Sequence, residues 1–493
     1  MTELDVVIVG AGISGIGAAY HLQTRCPGKT FAILEARERL GGTWDLFRYP
    51  GIRSDSDMYT LGFSFRPWRR PEAIASGDAI LEYLKETAET FGIDKTIRFR
   101  HRVERASWSS ADARWTLDVR DAAGALQTYT CSFLFACAGY YDYSAGYTPD
   151  LPGIAEYRGR VVHPQKWTED IDFAGKRVVV IGSGATAMTL VPALAKQAAH
   201  VTMLQRSPTY VISMPSEDRV AEGLKRLLPP RAAHAATRWK NVLLSTAFYN
   251  YSKRFPAAAR RMLIGNVKKA IGTSVDVDTH FTPRYQPWDQ RLCLIPDGDL
   301  YEALTAGKAS VVTDQIETFT ATGIRLRSGE ELAADLVVTA TGLSLQLLGG
   351  IALEIDGERV DPAKRVLYKG VMLSGVPNLA LAIGYTNASW TLKSELTGLY
   401  VCRLLQHMDR HRYSACAPRV DGEIDERPLL DLDAGYIQRG RDRFPRQGTS
   451  RPWRLYQNYV LDRWLLRRSP VSDRALQFTR TRHQSRASRR EAA

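Results

Sequence analysis

The sequence predicts an α/β fold built from two Rossmann-like units, the second inserted into the first, with a basic helical excursion leaving the inserted unit. Three observations predict it. "VVIVGAGISG" near the N-terminus and "KRVVVIGSGATA" from Lys176 repeat one strand-turn-helix grammar. The runs "FLFACAGYY" and "LVVTATGLS" are buried-strand patterns ending in small-residue turns near Gly139 and Gly342, where a chain would pass between units. Segment 219–270 carries helical patterning and a marked excess of positive charge. The expected layout is residues 1–146 and 336–493 for the outer unit, 147–335 for the inserted one, and about 216–275 for the helical insert.

In the first unit the β-branched run ends in Gly10-x-Gly12-x-x-Gly15, and "IGAAYHLQTR" continues as a helix. Gly10 permits the tight turn and Gly12 lets a pyrophosphate approach the backbone, while Gly15 lets helix and strand pack closely. Ser14 lies in the same loop, so the helix N-terminus forms a phosphate site. "FAILEAR" then ends a second buried strand at Glu35, an acid placed to bind a ribose hydroxyl.

The second unit repeats the pattern with Gly182, Gly184 and Ala187, and Pro192 is expected to kink its helix. Its next strand, "VTMLQRS", ends in Arg206. A guanidinium there suits a 2′-phosphate, so this site is expected to prefer NADPH. An acid-ended site and an arginine-ended site in one chain suggest two different dinucleotides, FAD first and NADPH second. Such a protein passes hydride to a flavin, which carries the chemistry while the protein supplies position and electrostatics.

Composition narrows the class. With 493 residues, 44% hydrophobic and 24% charged, the chain suits a globular protein of two or three domains. No apolar run approaches the ~20 residues of a membrane span. "LDVVIVGAG" begins too near the start for a secretory signal, so a cytoplasmic location is expected. Six scattered cysteines, Cys26, Cys131, Cys137, Cys293, Cys402 and Cys416, offer no C-x-x-C pair and no metal-ligand spacing. No bound metal is expected, and two-dinucleotide disulfide reductases, which need a dithiol, are disfavoured. That leaves the flavoproteins that use oxygen.

The net charge of +13 is concentrated. Segment 219–270 holds twelve Lys/Arg against Glu222, and the tail from Arg474 holds six Arg against Glu491. The simplest reading of the segment is a solvated helical face. No nucleic-acid partner is expected, although a non-enzymatic basic surface-binding protein is the distant alternative. Basic amphipathic helices also suit the inner face of an anionic membrane, so peripheral contact there is a second option.

Two further motifs carry a resemblance. Tyr157-x-Gly159-x-x-x-His163-x-x-x-Trp167 resembles the fingerprint of type I Baeyer–Villiger monooxygenases, with Tyr157 for the usual Phe and Thr168 where Pro or Asp usually follows. "GGTWDLFRYPGIRSD", from Gly41 to Asp55, matches a second motif of that family in full. The resemblance covers nearly the whole chain and is densest from His280 and from Leu373, where it is similar to the ethionamide monooxygenase group.

The resemblance implies an FAD- and NADPH-dependent enzyme whose peroxyflavin converts ketones to esters or lactones and oxidises sulfur in thioamides. The alternative is an N- or S-hydroxylating flavin monooxygenase, against which Trp167 argues. Expected partners are small ketones or thioamides. By resemblance Thr43, Trp44, Asp45 and Leu46 lie along the flavin, with Asp55 near it, and the Val103 backbone meets its adenine. Arg53, Ser54, Ser183, Gly184, Ala185, Thr186, Ala187, Thr189, Arg206 and Ser207 line the NADPH site. Arg291 matches the active-site arginine, preceded here by Gln290 in place of the frequent Lys, and Asp55 orients it. On residue type alone Asp55 could instead cap the helix that follows. His163 is expected to act on the joint between the units, not on a proton.

Overall fold

The computed structural model describes residues 2–290, 292–430 and 432–480. Its first sheet has nine strands. Thr2–Val9, Phe31–Glu35 and Ile97–Phe99 run parallel, and Thr2–Val9 also pairs in parallel with Leu126–Ala136. An antiparallel meander of Arg102–Ser109, Arg114–Arg120 and Leu126–Ala136 extends it. Strands Ala352–Ile355 and Leu379–Leu381 join from far along the chain. One sheet is thus completed from both ends of the sequence.

The second sheet has five parallel strands, in the order Ala309–Thr313, His200–Gln205, Arg177–Ile181, Leu336–Thr339 and Arg160–Val162. The runs "VVIV", "VVVI" and "LVVT" are buried almost throughout, as expected for strands covered on both faces. The two connections between the sheets lie against each other. Tyr141–Gly146 pairs antiparallel with Leu343–Leu345, and the Tyr147 N–H donates to the Gly342 carbonyl at 3.1 Å.

The helical excursion comprises Arg219–Leu227, Pro230–Arg254 and Pro256–Ile271. It leaves after strand Val211–Met214 and returns before Cys293–Pro296, and these two strands pair in parallel. The long helix packs back on the first unit: Val242 shares a cluster with Tyr385 and Leu392, and Arg238 is buried against helix Trp390–His411 through Glu395. All six cysteines are buried, and none forms a disulfide among the described residues.

Candidate active site

The Gly-rich loop of the first unit is shaped for close backbone approach. Gly10 sits at φ +99°, and a Cβ there would fall 2.9 Å from the Cys137 carbonyl oxygen. A Cβ on Gly15 would lie 1.9 Å from the Gly10 oxygen. Gly12 caps helix Ile13–Arg25 without any side-chain bond among the described residues, leaving first-turn N–H groups for an anion.

Glu35 ends its strand buried, and its carboxylate accepts from the Ala11 N–H at 2.7 Å and the Arg37 N–H at 2.9 Å. Burial pushes its pKa up, against those two hydrogen bonds. The carboxylate therefore belongs to the loop's architecture. Val103 is buried in its strand, and a register shift between Val103 and Arg105 interrupts the ladder, which leaves backbone groups available there.

The second motif folds onto this loop. Gly41 N–H donates to the Ala11 carbonyl at 3.0 Å, and a Cβ on Gly42 would lie 3.1 Å from the Gly12 Cα. Thr43 and the Tyr143 hydroxyl lie 3.2 Å apart, and Trp44 and Leu46 are partly buried against the two cores. Within the turn expected to lie along the flavin, the Asp45 carboxylate is turned to neighbouring arginines. Asp45 is buried, and Arg37, Arg39 and Arg48 surround its carboxylate at 2.7, 3.1 and 2.7 Å. Three guanidiniums compensate one buried charge, so its role is to hold the turn.

The same motif reaches the second unit. A Cβ on Gly51 would fall 2.7 Å from the Ala193 Cβ, and Tyr49 is buried in the core of the second unit. Arg53 is paired with Asp299 and donates to the Met188 carbonyl at 3.4 Å, so it bridges the units. Ser54 is buried, its hydroxyl unpartnered among the described residues. Asp55 is exposed, and the helix cap that its residue type allowed is made by Asp57, which accepts from Thr60 N at 3.0 Å.

In the inserted unit Gly182 sits at φ +132°, and Gly184 caps helix Ala185–Leu194 without a side-chain bond among the described residues. Gly184 and Ala185 are exposed, as a nucleotide site requires. Ser183 donates to the Ser207 carbonyl at 3.1 Å and bonds Thr209 at 2.9 Å, tying the loop to the strand end. Arg206 and Ser207 are exposed there, and Arg206 forms no ion pair among the described residues.

Two expectations need correction. Ala187 is fully buried, and Thr189 is buried with its hydroxyl bonded to Ala185 O at 2.8 Å. The Ala187 side chain packs in the core of the inserted unit, while the Thr189 methyl lies beside Gly51 of the first unit's motif. Arg291 lies outside the described residues.

The Tyr157–Trp167 segment spans the joint. A Cβ on Gly159 would lie 2.3 Å from the Tyr157 hydroxyl, so Tyr157 folds over Gly159. That hydroxyl donates to the Ala334 carbonyl at 3.0 Å, which satisfies the extra polar atom of Tyr. Trp167 is buried edge-on to Phe173. His163 accepts from Gln165 N at Nδ1, 3.2 Å, so Nε2 carries the proton and donates to the Gly342 carbonyl at 3.1 Å. Its ring covers Gly146, where a Cβ would fall 1.9 Å from Cε1. Burial holds its pKa below the usual imidazole value. His163 therefore contacts both crossing connections as a neutral ring.

Several participants left little trace in the sequence. Trp390 donates to the Ser14 hydroxyl at 2.7 Å, and Gly384 makes room for its ring. Tyr143, Asp299 and Arg238 are equally non-local partners.

The chain is similar to known proteins along its whole length. Residues 69–232 match the flavin-binding monooxygenase-like family, and residues 8–70 match the NAD(P)-binding Rossmann-like domain. The FAD-containing monooxygenase EthA of Mycobacterium tuberculosis is 55% identical over 97% of this chain and 99% of its own length. EthA of Mycolicibacterium smegmatis is 52% identical over 98% of both. Among solved structures, an oxidised steroid monooxygenase bound to NADP shares the fold with a TM-score of 0.74 and 23% identity, covering 97% of this chain and 100% of that one. A closed cyclohexanone monooxygenase gives 0.70 and 21%, over 85% and 87%. With a full-length relative at this level of identity, the chain belongs to the FAD-containing monooxygenases.

Proposed function

We propose that this chain is an NADPH- and O2-dependent Baeyer–Villiger monooxygenase that turns ketones into esters or lactones and also oxidises sulfur in thioamides and sulfides. The observation that carries the reading is the bond from His163 Nε2 to the Gly342 carbonyl, 3.1 Å, with the ring laid on Gly146. A fingerprint histidine that bridges both connections suits an enzyme whose two nucleotide units must adopt defined relative positions. The outer unit is taken as residues 1–146 with 336–493, the inserted one as 147–335.

Bound FAD would supply oxygen activation and NADPH the hydride. Gly10, Gly12, Gly15 and Ser14 would hold the flavin pyrophosphate and Glu35 its ribose. Ser183, Gly184, Ala185, Ser207 and Arg206 would hold NADPH, with Arg206 on the 2′-phosphate. Asp55 would orient Arg291, whose guanidinium cannot lose its proton and would stabilise negative charge developing on oxygen at the substrate carbonyl. His163 is a positioning residue.

The test is aerobic incubation with NADPH and a mixture of phenyl ketones, long-chain ketones and thioamides, with products identified by mass spectrometry. Ester from ketone supports the reading; S-oxide from thioamide with no ester favours the S-hydroxylating alternative.

A second observation favours peripheral contact with an anionic membrane. Among the described residues, nine of the twelve exposed large hydrophobic side chains lie within 214–262, including Leu227 at 81% and Leu244 at 62% exposure. Two more, Val460 and Trp464, lie on helix Tyr459–Arg467, which meets the long insert helix where Tyr459 packs on Trp239. Apolar side chains among Lys and Arg are the pattern of an interfacial surface. Pelleting with anionic vesicles, lost at high salt, is expected; equal pelleting with neutral vesicles would remove the charge argument.

A further inference from the structure

Beside that face lies a cavity of about 670 Å³, within the range of about 300–1,000 Å³ usual for small-molecule sites. It is distinct from both nucleotide loops. Helix Tyr459–Arg467 forms one wall through Trp464, Leu465 and Leu466, and Pro452 and Trp453 form another. Trp464 lines the cavity and is also 51% exposed, so the opening borders the cationic apolar face.

The charges around it are unbalanced. Arg419, Arg451, Arg454 and Arg474 line the cavity, are exposed, and make no ion pair among the described residues. The acids are mostly committed. Asp473 is paired with Lys369 at 2.9 Å and accepts from Tyr368 at 2.6 Å, while Asp462 is paired with buried Lys393 at 2.8 Å and accepts from Tyr385 at 2.8 Å. Asp421 is the one lining acid with no such partner among the described residues, against four lining arginines. An apolar interior with a rim of unpaired arginines is complementary to a molecule with one anionic head and one apolar chain.

We infer that the cavity between helix Tyr459–Arg467 and the Arg451–Trp453 segment is a binding site for a single-chain anionic amphiphile, a long-chain carboxylate. Its chain lies against Trp453, Trp464 and Leu465, and its carboxylate is held by Arg419 and Arg451. The site goes beyond the oxygenation reading and stands whether or not ketones are substrates. A physical path leads from it to the flavin loop: Asp462 pairs with Lys393, one helical turn from Trp390, which bonds Ser14.

The test is calorimetric titration of the FAD-loaded full-length protein with monomeric palmitate, below its aggregation concentration. One equivalent is expected to bind. Hexadecanol, with the same chain and no charge, is expected to bind about tenfold or more weakly, the worth of one charge-assisted contact. The double variant Arg419→Glu, Arg451→Glu is expected to lose palmitate by about tenfold or more, with flavin spectrum and thermal midpoint unchanged. Trp464→Glu provides a second probe on the apolar wall and is expected to weaken both ligands. No heat with palmitate overturns the site, as does palmitate binding that neither variant alters. Binding only to anionic vesicles also overturns it, since that places the affinity on the outer face.

Discussion

Arg238 and Glu395 form a buried ion pair of 2.7 Å that joins the helical insert to the first unit. The Arg238 guanidinium also donates to the carbonyls of Tyr59 and Gly62 at 2.8 and 2.7 Å, and Glu395 accepts from the N–H and hydroxyl of Ser64 at 3.0 and 2.8 Å. Both partners are thus supplied with several hydrogen bonds, the condition under which a buried pair is tolerated. The insert is therefore fixed to the segment that follows Asp55.

Arg238→Ala leaves Glu395 buried with its main counter-charge removed. A loss of about 3–5 kcal/mol is expected, seen as a lower thermal midpoint. The double variant Arg238→Met, Glu395→Leu removes both charges and is expected to recover most of that loss. A double variant as unstable as the single one would show that the hydrogen bonds to the carbonyls, not the charge pair, hold the insert.

His163 and Gly146 make a coupled test of the joint. Gly146→Ala places a methyl within the His163 ring and is expected to displace it, raising the share of NADPH oxidised to hydrogen peroxide instead of product. His163→Ala is expected to uncouple in the same way while FAD stays bound. Because both act on one contact, combining them is expected to cost far less than the sum. Full additivity would mean that His163 and Gly146 act independently.

Arg206→Glu is expected to invert nucleotide preference. Losing a charge-assisted contact and adding repulsion to the 2′-phosphate costs about 1.5–3 kcal/mol, or roughly tenfold to a hundredfold in NADPH affinity. NADH lacks that phosphate and is expected to change little. Steady-state KM values for both nucleotides measure it. An equal loss for both would assign Arg206 a structural role.

Much of this organisation was legible because its signals are local. Gly10, Gly12, Gly15 and Glu35 lie in one short stretch where a strand, a tight turn and a helix leave little choice but a dinucleotide loop, and the same holds for Gly182, Gly184 and Arg206. The signals failed where distant segments meet. Thr189 sits at nucleotide-like spacing, yet it is buried with its methyl beside Gly51 of the first unit's motif. The Trp390 bond to Ser14 crosses 376 residues, a separation no local pattern can report. Asp55 and Asp57 are both plausible helix caps by residue type, and only backbone placement chooses Asp57.

The insert's docking surface also has an acid limit. His234, on the long insert helix, is buried near Arg238 and Lys225 and faces the Tyr59 ring; His21, on the first-unit helix, lies 3.9 Å from Glu395 with Arg25 and Arg467 nearby. Burial, aided by these cations, lowers their pKa values from 6.5 to about 4 and about 3. A base with its folded pKa depressed favours the native state while neutral. Its contribution is fully present above pH 6.5 and is lost as the pH falls through about 4. For His234 a shift of that size corresponds to roughly 3 kcal/mol. His234→Phe keeps the ring volume and cannot be charged, so it is expected to flatten the loss of stability between pH 6.5 and 4. Thermal midpoints of the two proteins across that window measure it, and identical slopes would show that His234 does not report on the docking of the insert.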